Sequence, residues 1–225
     1  MSNLIGKAIA GLVFLVVVLA LAIFVPAGTV QFWQGWLYLA TFAVCTILIT
    51  IYLARYDREL LAGRVKAGAT AEPTRAQQVI QGIAALCFIL IFVTAGLDYR
   101  FGWSSIAPIW SVIGDIVVAV GFGIVFLVFR ENSYTRGTIE VSAGQTVVSS
   151  GPYAVVRHPM YGGAGILVLA TPIALGSWVA LVFSVLLMLA IAVRLQDEEK
   201  LLAGELSGYT EYRQKVRYRL IPGIW

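Results

Sequence analysis

Four stretches of this chain are apolar almost without interruption, and polar segments of very unequal length separate them. Residues 8–25, 31–54, 79–97 and 109–129 each hold enough consecutive apolar side chains to cross a hydrocarbon layer of ~30 Å as a helix. The second begins with Trp33, Trp36 and Tyr38, aromatic residues suited to the boundary between lipid and water. A polar connection covers 55–78. Within it, 56–61 predicts a short amphipathic helix on the membrane surface, and 68–73 breaks that helix. A short turn at 98–108, edged by Trp103 and Trp110, marks the opposite interface.

The longest polar stretch, 131–156, is punctuated by Gly137, Gly144 and Gly151 and predicts an ordered loop. Beyond it, 161–175 and 178–193 are two apolar arms around Thr171-Pro172 and Gly176-Ser177. The first arm is short for the hydrocarbon layer, which predicts a tight helical hairpin. The expected fold is therefore all-α: a polytopic integral membrane protein with four full transmembrane helices plus a C-terminal hairpin, five to six membrane segments in all. Residues 1–130 would shape the substrate side, and 131–225 would carry the site.

Composition agrees with this pattern. The 225 residues are 60% hydrophobic and 12% charged, unlike an ordinary soluble domain. A net charge of +4 would suit a nucleic-acid binder, but the cations sit in short segments beside the apolar runs. Of the 16 Lys and Arg, only Arg100 falls on the side of the 98–108 turn. The positive-inside rule then places both termini and the polar face in the cytoplasm, with membrane lipids and no nucleic acid as partners. Cys45 and Cys87 lie inside apolar runs, and His158 is the sole histidine. Neither a disulfide framework nor a metal centre is expected.

Polar chemistry concentrates between Gly151 and Trp225. Arg157-His158-Pro159 stands where a loop enters a helix, with Pro159 suited to the first turn. Arg157 would then lie beside the unpaired backbone N–H groups of that helix start, a natural seat for a carboxylate or phosphate. An Arg-His pair anchoring a helix to lipid headgroups is the alternative. Gly162, Gly163 and Gly165 permit close approach of either a ligand or a neighbouring helix. Arg194 and Glu198 stand four apart, so they share a helix face and can pair. Glu198 and Glu199 could hold hydroxyls or a cationic ligand, or simply form a solvated helix end. Tyr209, Tyr212 and Tyr218 interleave with Arg213, Lys215, Arg217 and Arg219, a pattern that also fits a membrane-surface anchor. Asp115 lies inside the fourth apolar run, near its outer end, where a structural or solvated role is expected.

Taken in order, Gly151-Pro152-Tyr153, then Arg157 to Gly162, then Arg194 with Glu198-Glu199, then Tyr209-x-x-Tyr212 and Arg219-x-Ile221-Pro222, resemble the isoprenylcysteine carboxyl methyltransferase family. The related phospholipid N-methyltransferases are similar through the same region. The resemblance covers about the last third of the chain, with a weaker match at Glu131-Asn132.

The resemblance implies a membrane methyltransferase using S-adenosylmethionine, bound at the cytoplasmic face, with a lipophilic or prenylated acceptor. It implies cofactor contacts from Tyr153, Val156, His158, Pro159, Tyr161, Gly162, Glu198, Glu199 and Tyr212. Catalytic roles would fall to Arg157, Glu198 and Arg219. A carboxylate acceptor is ionised at neutral pH and needs only an Arg, either Arg157 or Arg219, to position it. An amine acceptor needs a base, either Glu198 or Glu131. A nicotinamide-dependent reductase resembling the sterol reductases is the competing enzyme class, because Tyr209 to Pro222 fits its C-terminal pattern too.

Overall fold

The computed structural model describes residues 2–135, 137–142 and 144–225, and among them all regular structure is helical. Eight helices follow in order: α1 Ser2–Ala27, α2 Trp33–Tyr56, α3 Arg58–Val65, α4 Arg75–Phe101, α5 Pro108–Glu131, α6 Pro159–Ala174, α7 Leu181–Glu205 and α8 Tyr209–Lys215. Single 3-10 turns form at Ala69–Ala71 and Gly151–Ala154. Helices α1, α2, α4 and α5 are long and apolar enough to cross a membrane, as the four apolar runs predict.

Local chemistry sets the helix ends. Thr74 caps α4 by accepting from the Gln77 N–H, so the helix starts several residues before its apolar run. Gly102, at φ +66°, ends it in the left-handed conformation that glycine adopts without strain. Asp57 caps α3 in the same manner as Thr74, accepting from the Leu60 N–H. Leu60 and Leu61 of α3 are buried against Ala8, Leu53 and Phe129, so this short helix is packed into the bundle as well as lying at its polar end.

Helix α5 lies in backbone contact with α6. A Cβ on Gly121 would stand 2.9 Å from the Gly163 carbonyl oxygen, and one on Gly163 would stand 3.1 Å from that of Gly121. Small residues at this seam allow van der Waals packing where lipid provides no hydrophobic drive between helices. The core holds Leu19, Ile23, Phe32, Tyr38, Ile91 and Phe92, while Phe14, Val25, Leu48 and Ile116 point outward, as lipid-facing positions should.

The second arm of the hairpin outruns its apolar stretch, as the shared helix face of Arg194 and Glu198 expects. The apolar run ends at Val193, but α7 continues without a break to Glu205, so Arg194, Glu198 and Glu199 project on one rigid helix. The first arm, α6, has 16 residues and rises about 24 Å. The turn between the arms is fastened at the end opposite that charged extension. Ser177 Oγ donates to Asp98 at 2.5 Å, and Asp98 also accepts from the Ser104 N–H and hydroxyl at 2.6 Å each.

Candidate functional site

The tail after α8 runs beside the entry to α6. The Arg157 and His158 N–H groups donate to the Tyr218 and Arg219 carbonyls at 2.9 Å each. The Arg157 guanidinium, expected at the helix start, turns toward this tail and donates to the Val216 and Arg217 carbonyls at 2.9 and 2.7 Å. Its Nε donates to Glu199 Oε1 at 2.6 Å, while Arg219 Nε donates to Glu199 Oε2 at 2.7 Å. His158 Nε2 lies 3.4 Å from the same carboxylate and 3.5 Å from the Tyr209 hydroxyl. Burial by itself would raise the Glu199 carboxyl. The hydrogen bonds from His158, Arg157 and Arg219 outweigh it and hold the group well below the usual carboxylate range.

A second cluster sits one helix face away. Tyr161 donates to Glu198 Oε2 at 2.6 Å and accepts from Arg194 Nε at 3.2 Å. Arg194 and Glu198 are therefore joined through the tyrosine, which corrects the direct pairing expected from their spacing. Arg194 takes Glu72 as its ion-pair partner instead, with Nη2 to Oε1 at 2.7 Å. It also donates to Gln77 Oε1 and to the Gly137 carbonyl. Glu72 in turn accepts from the Ile139 N–H, so one carboxylate joins the α3–α4 connection, the 132–142 loop and α7.

Between these clusters lies a cavity of about 510 Å³. Its polar end is lined by Asn132, Tyr153, Arg157, His158, Tyr209 and Tyr212, with Tyr161, Arg194 and Glu198 at its middle. Its apolar arm continues between α4, α6 and α7 past Ile80, Ala84, Phe88, Ala164, Leu187 and Ile191. The Tyr212 hydroxyl donates to the Tyr153 carbonyl at 2.8 Å, and burial pushes its pKa up to about 12. The Tyr153 hydroxyl accepts from Asn132 Nδ2 at 3.0 Å, and burial raises it as well.

Of the residues the sequence singled out, Tyr153, Arg157, His158, Tyr161, Glu198 and Tyr212 meet around this one space. Val156, Pro159, Gly162, Glu199 and Arg219 are not in its wall. Val156 and Pro159 are buried, and a Cβ on Gly162 would approach only the Leu220 carbonyl, at 3.7 Å. Gly163 and Gly165 serve packing, the latter against Met188. Glu131 bonds the Ser150 hydroxyl beside Gly151, which has a φ of +56°. Sequence reasoning missed Glu72, Gln77 and the α4 lining. Glu72 carried one signal, as the sole acid between Glu59 and Asp98. Asp115 is buried, not solvated, and accepts from the Thr41 hydroxyl at 3.1 Å.

Fold and site together define a helical bundle, with four helices long and apolar enough to cross a membrane, that holds a cavity lined by both polar and apolar side chains. Residues 109–206 match the family model for phospholipid methyltransferases, a window from α5 through α7 that holds Arg157, His158, Tyr161, Arg194, Glu198 and Glu199 but neither the tail nor Glu72. The Protein-S-isoprenylcysteine O-methyltransferase of Schizosaccharomyces pombe is 35% identical over 99 residues, which cover 37% of this chain and 42% of that protein. The match thus spans less than half the length of this relative. Both findings bear out the resemblance carried by the C-terminal motifs.

Proposed function

We propose that this protein is an integral membrane methyltransferase that uses S-adenosylmethionine to methylate a lipophilic acceptor, with its site at the cytoplasmic face. One observation carries the reading: a single cavity joins a charged, tyrosine-rich pocket to an apolar arm between membrane helices. A water-soluble donor and a greasy acceptor can meet in such a space from opposite ends. The matched family and the S. pombe relative support the same class.

The residues present fit that cofactor. The volume lies in the range of small-molecule sites. Glu198 offers a carboxylate to ribose hydroxyls or an amino group. The paired rings of His158 and Tyr161, and of Tyr209 and Tyr212, offer faces to a purine or a cation. When bound, the cofactor supplies a methyl group on a positively charged sulfur, moved by in-line displacement that leaves the electron pair on sulfur. The protein's task is alignment and exclusion of water.

Tyr161 orients Glu198 through its 2.6 Å hydrogen bond. Glu199, clasped by Arg157 and Arg219, fastens the tail across the entry to α6 and closes the polar end. Of those two arginines, candidates for holding an acceptor carboxylate, Arg219 lies outside the cavity wall and acts as a brace. Arg157, in the cavity wall with its second Nη nitrogen outside the hydrogen bonds to Glu199, Val216 and Arg217, takes that task for an isoprenylcysteine-like acid. The match to phospholipid methyltransferases favours a second reading, an amine acceptor whose proton passes to Glu198.

Membranes containing the protein, incubated with methyl-radiolabelled S-adenosylmethionine, test this. Label in the lipid fraction that is lost in base indicates a methyl ester, and label stable to base indicates an amine. No transfer to any lipid or prenylated acceptor would overturn the proposal.

A further inference from the structure

The half of the bundle farthest from the cavity holds a second concentration of polar groups. On α5, Ser111 and Asp115 stand one turn apart on one face. On α2, Gln34, Tyr38 and Thr41 form a matching stripe at helical spacing. Thr41 Oγ1 donates to Asp115 Oδ2 at 3.1 Å, and the Tyr38 hydroxyl shares a 3.2 Å hydrogen bond with Thr171 of α6. The turn after α6 faces the same corner. A Cβ on Gly176 would stand 3.4 Å from the Gln34 amide nitrogen and 3.6 Å from Ser111 Oγ.

Four buried side-chain atoms lack a hydrogen-bond partner among the described residues, and three of them are here: Gln34 Oε1, Ser111 Oγ and Asp115 Oδ1. Ser111 is fully buried and Asp115 is 5% exposed. An unpartnered polar atom in such surroundings costs free energy, and an unpaired charge costs more. All three atoms are oxygens. The Gln34 oxygen and an ionised carboxylate oxygen can only accept, and the Ser111 hydroxyl oxygen keeps its lone pairs whatever its proton does, so each of the three can ligate a cation. No described cation pairs with Asp115. Arg100, near this end of the bundle, stacks over the Phe101 ring at 5.5 Å.

We infer that Gln34, Ser111 and Asp115 bind a monovalent alkali cation between α2, α5 and the α6–α7 turn. Hard cations take oxygen ligands, and a single positive charge balances a single carboxylate where a divalent ion would leave excess charge. Bound there, the ion ties α2 to α5 at the end of the bundle opposite the cavity.

The test is thermal unfolding of the purified, detergent-solubilised protein, followed by tryptophan fluorescence in sodium chloride and in choline chloride at equal ionic strength. The inference predicts a saturable rise in midpoint with sodium, or with potassium or lithium in its place. That rise disappears in Asp115→Asn. In Ser111→Ala, which breaks no observed hydrogen bond, the cation concentration at half-effect increases on the order of tenfold. Identical midpoints in sodium and choline overturn it, as does an undiminished sodium effect in Asp115→Asn or, should that variant not fold, in Ser111→Ala.

Discussion

Arg194 Nη2 lies 2.7 Å from Glu72 Oε1, a pairing across 122 residues that joins α7 to the connection before α4. The Glu72 side chain is fully buried and that of Arg194 is 10% exposed. Removing one member of such a pair leaves the other charge buried and uncompensated. Glu72→Ala should therefore destabilise the protein by about 3 kcal/mol. Lys200→Ala, which breaks the exposed Lys200–Asp197 pair, should change stability by less than about 0.5 kcal/mol. Chemical unfolding of both variants in micelles checks the contrast.

Tyr161 sits between Arg194 and Glu198, and its hydroxyl is their connection. Tyr161→Phe keeps the ring and removes the hydrogen bond that orients Glu198. Methyl transfer should fall by about 100-fold, the scale expected for a misplaced positioning group. The midpoint of thermal unfolding should shift far less. Glu198→Gln should lower transfer further while Tyr161 can still donate to the amide oxygen. Initial rates with radiolabelled donor, set beside unfolding midpoints, separate loss of activity from loss of fold.

The apolar arm should govern the acceptor and leave the donor alone. Ala190 of α7 lines that arm, away from Tyr153 and Tyr212 at the polar end. Ala190→Leu adds three carbons to the space. KM for a long-chain acceptor should rise several-fold, while S-adenosylhomocysteine binding stays within about twofold of wild type, since 1.4 kcal/mol would already be tenfold. A parallel loss of both would mean the two ends are not separate subsites.

Two groups set the pH limits of the tail's attachment. Glu199 has its folded-state pKa held below the ordinary 4.5 despite burial, by hydrogen bonds from His158, Arg157 and Arg219. Its contribution is present above pH 4.5 and is lost as pH falls toward the depressed value. Tyr212 is displaced upward by burial, from 10.0 to about 12. Its contribution is full below pH 10 and is lost as pH rises through about 12. Stability should thus be level, as far as these groups decide it, between about pH 5 and 10. Circular dichroism across the range checks this, with tyrosinate absorbance tracking the alkaline limb. Full tyrosine ionisation at pH 10 in the folded protein would contradict it.

Much of the architecture was legible because membrane helices announce themselves through local composition. Four apolar runs gave four helices, and only their ends moved, where Thr74 and Gly102 act as caps. The end of α7 was harder. Charge stops an apolar run at Val193 but does not stop a helix, and from Arg194 onward the first helix-weakening residue is Gly204, one position before the end. In the site, residues close in sequence and rich in function-bearing types were found readily, as with His158, Tyr161 and Glu198. Partners brought in by tertiary structure were not. Glu72 and Gln77 reach Arg194 from a connection whose own pattern suggested only a break. Glu199 reads like Glu198 in sequence, yet one turns to the tail and the other to the cavity.

Equilibrium binding of S-adenosylhomocysteine to the purified wild-type protein and to Glu198→Gln tests the central claim most directly, with NADPH titrated in parallel. The account predicts saturable, one-to-one binding to wild type, at least about tenfold weaker binding to Glu198→Gln, and no saturable binding of NADPH. Saturable NADPH binding with none of S-adenosylhomocysteine would contradict it and point to a reductase.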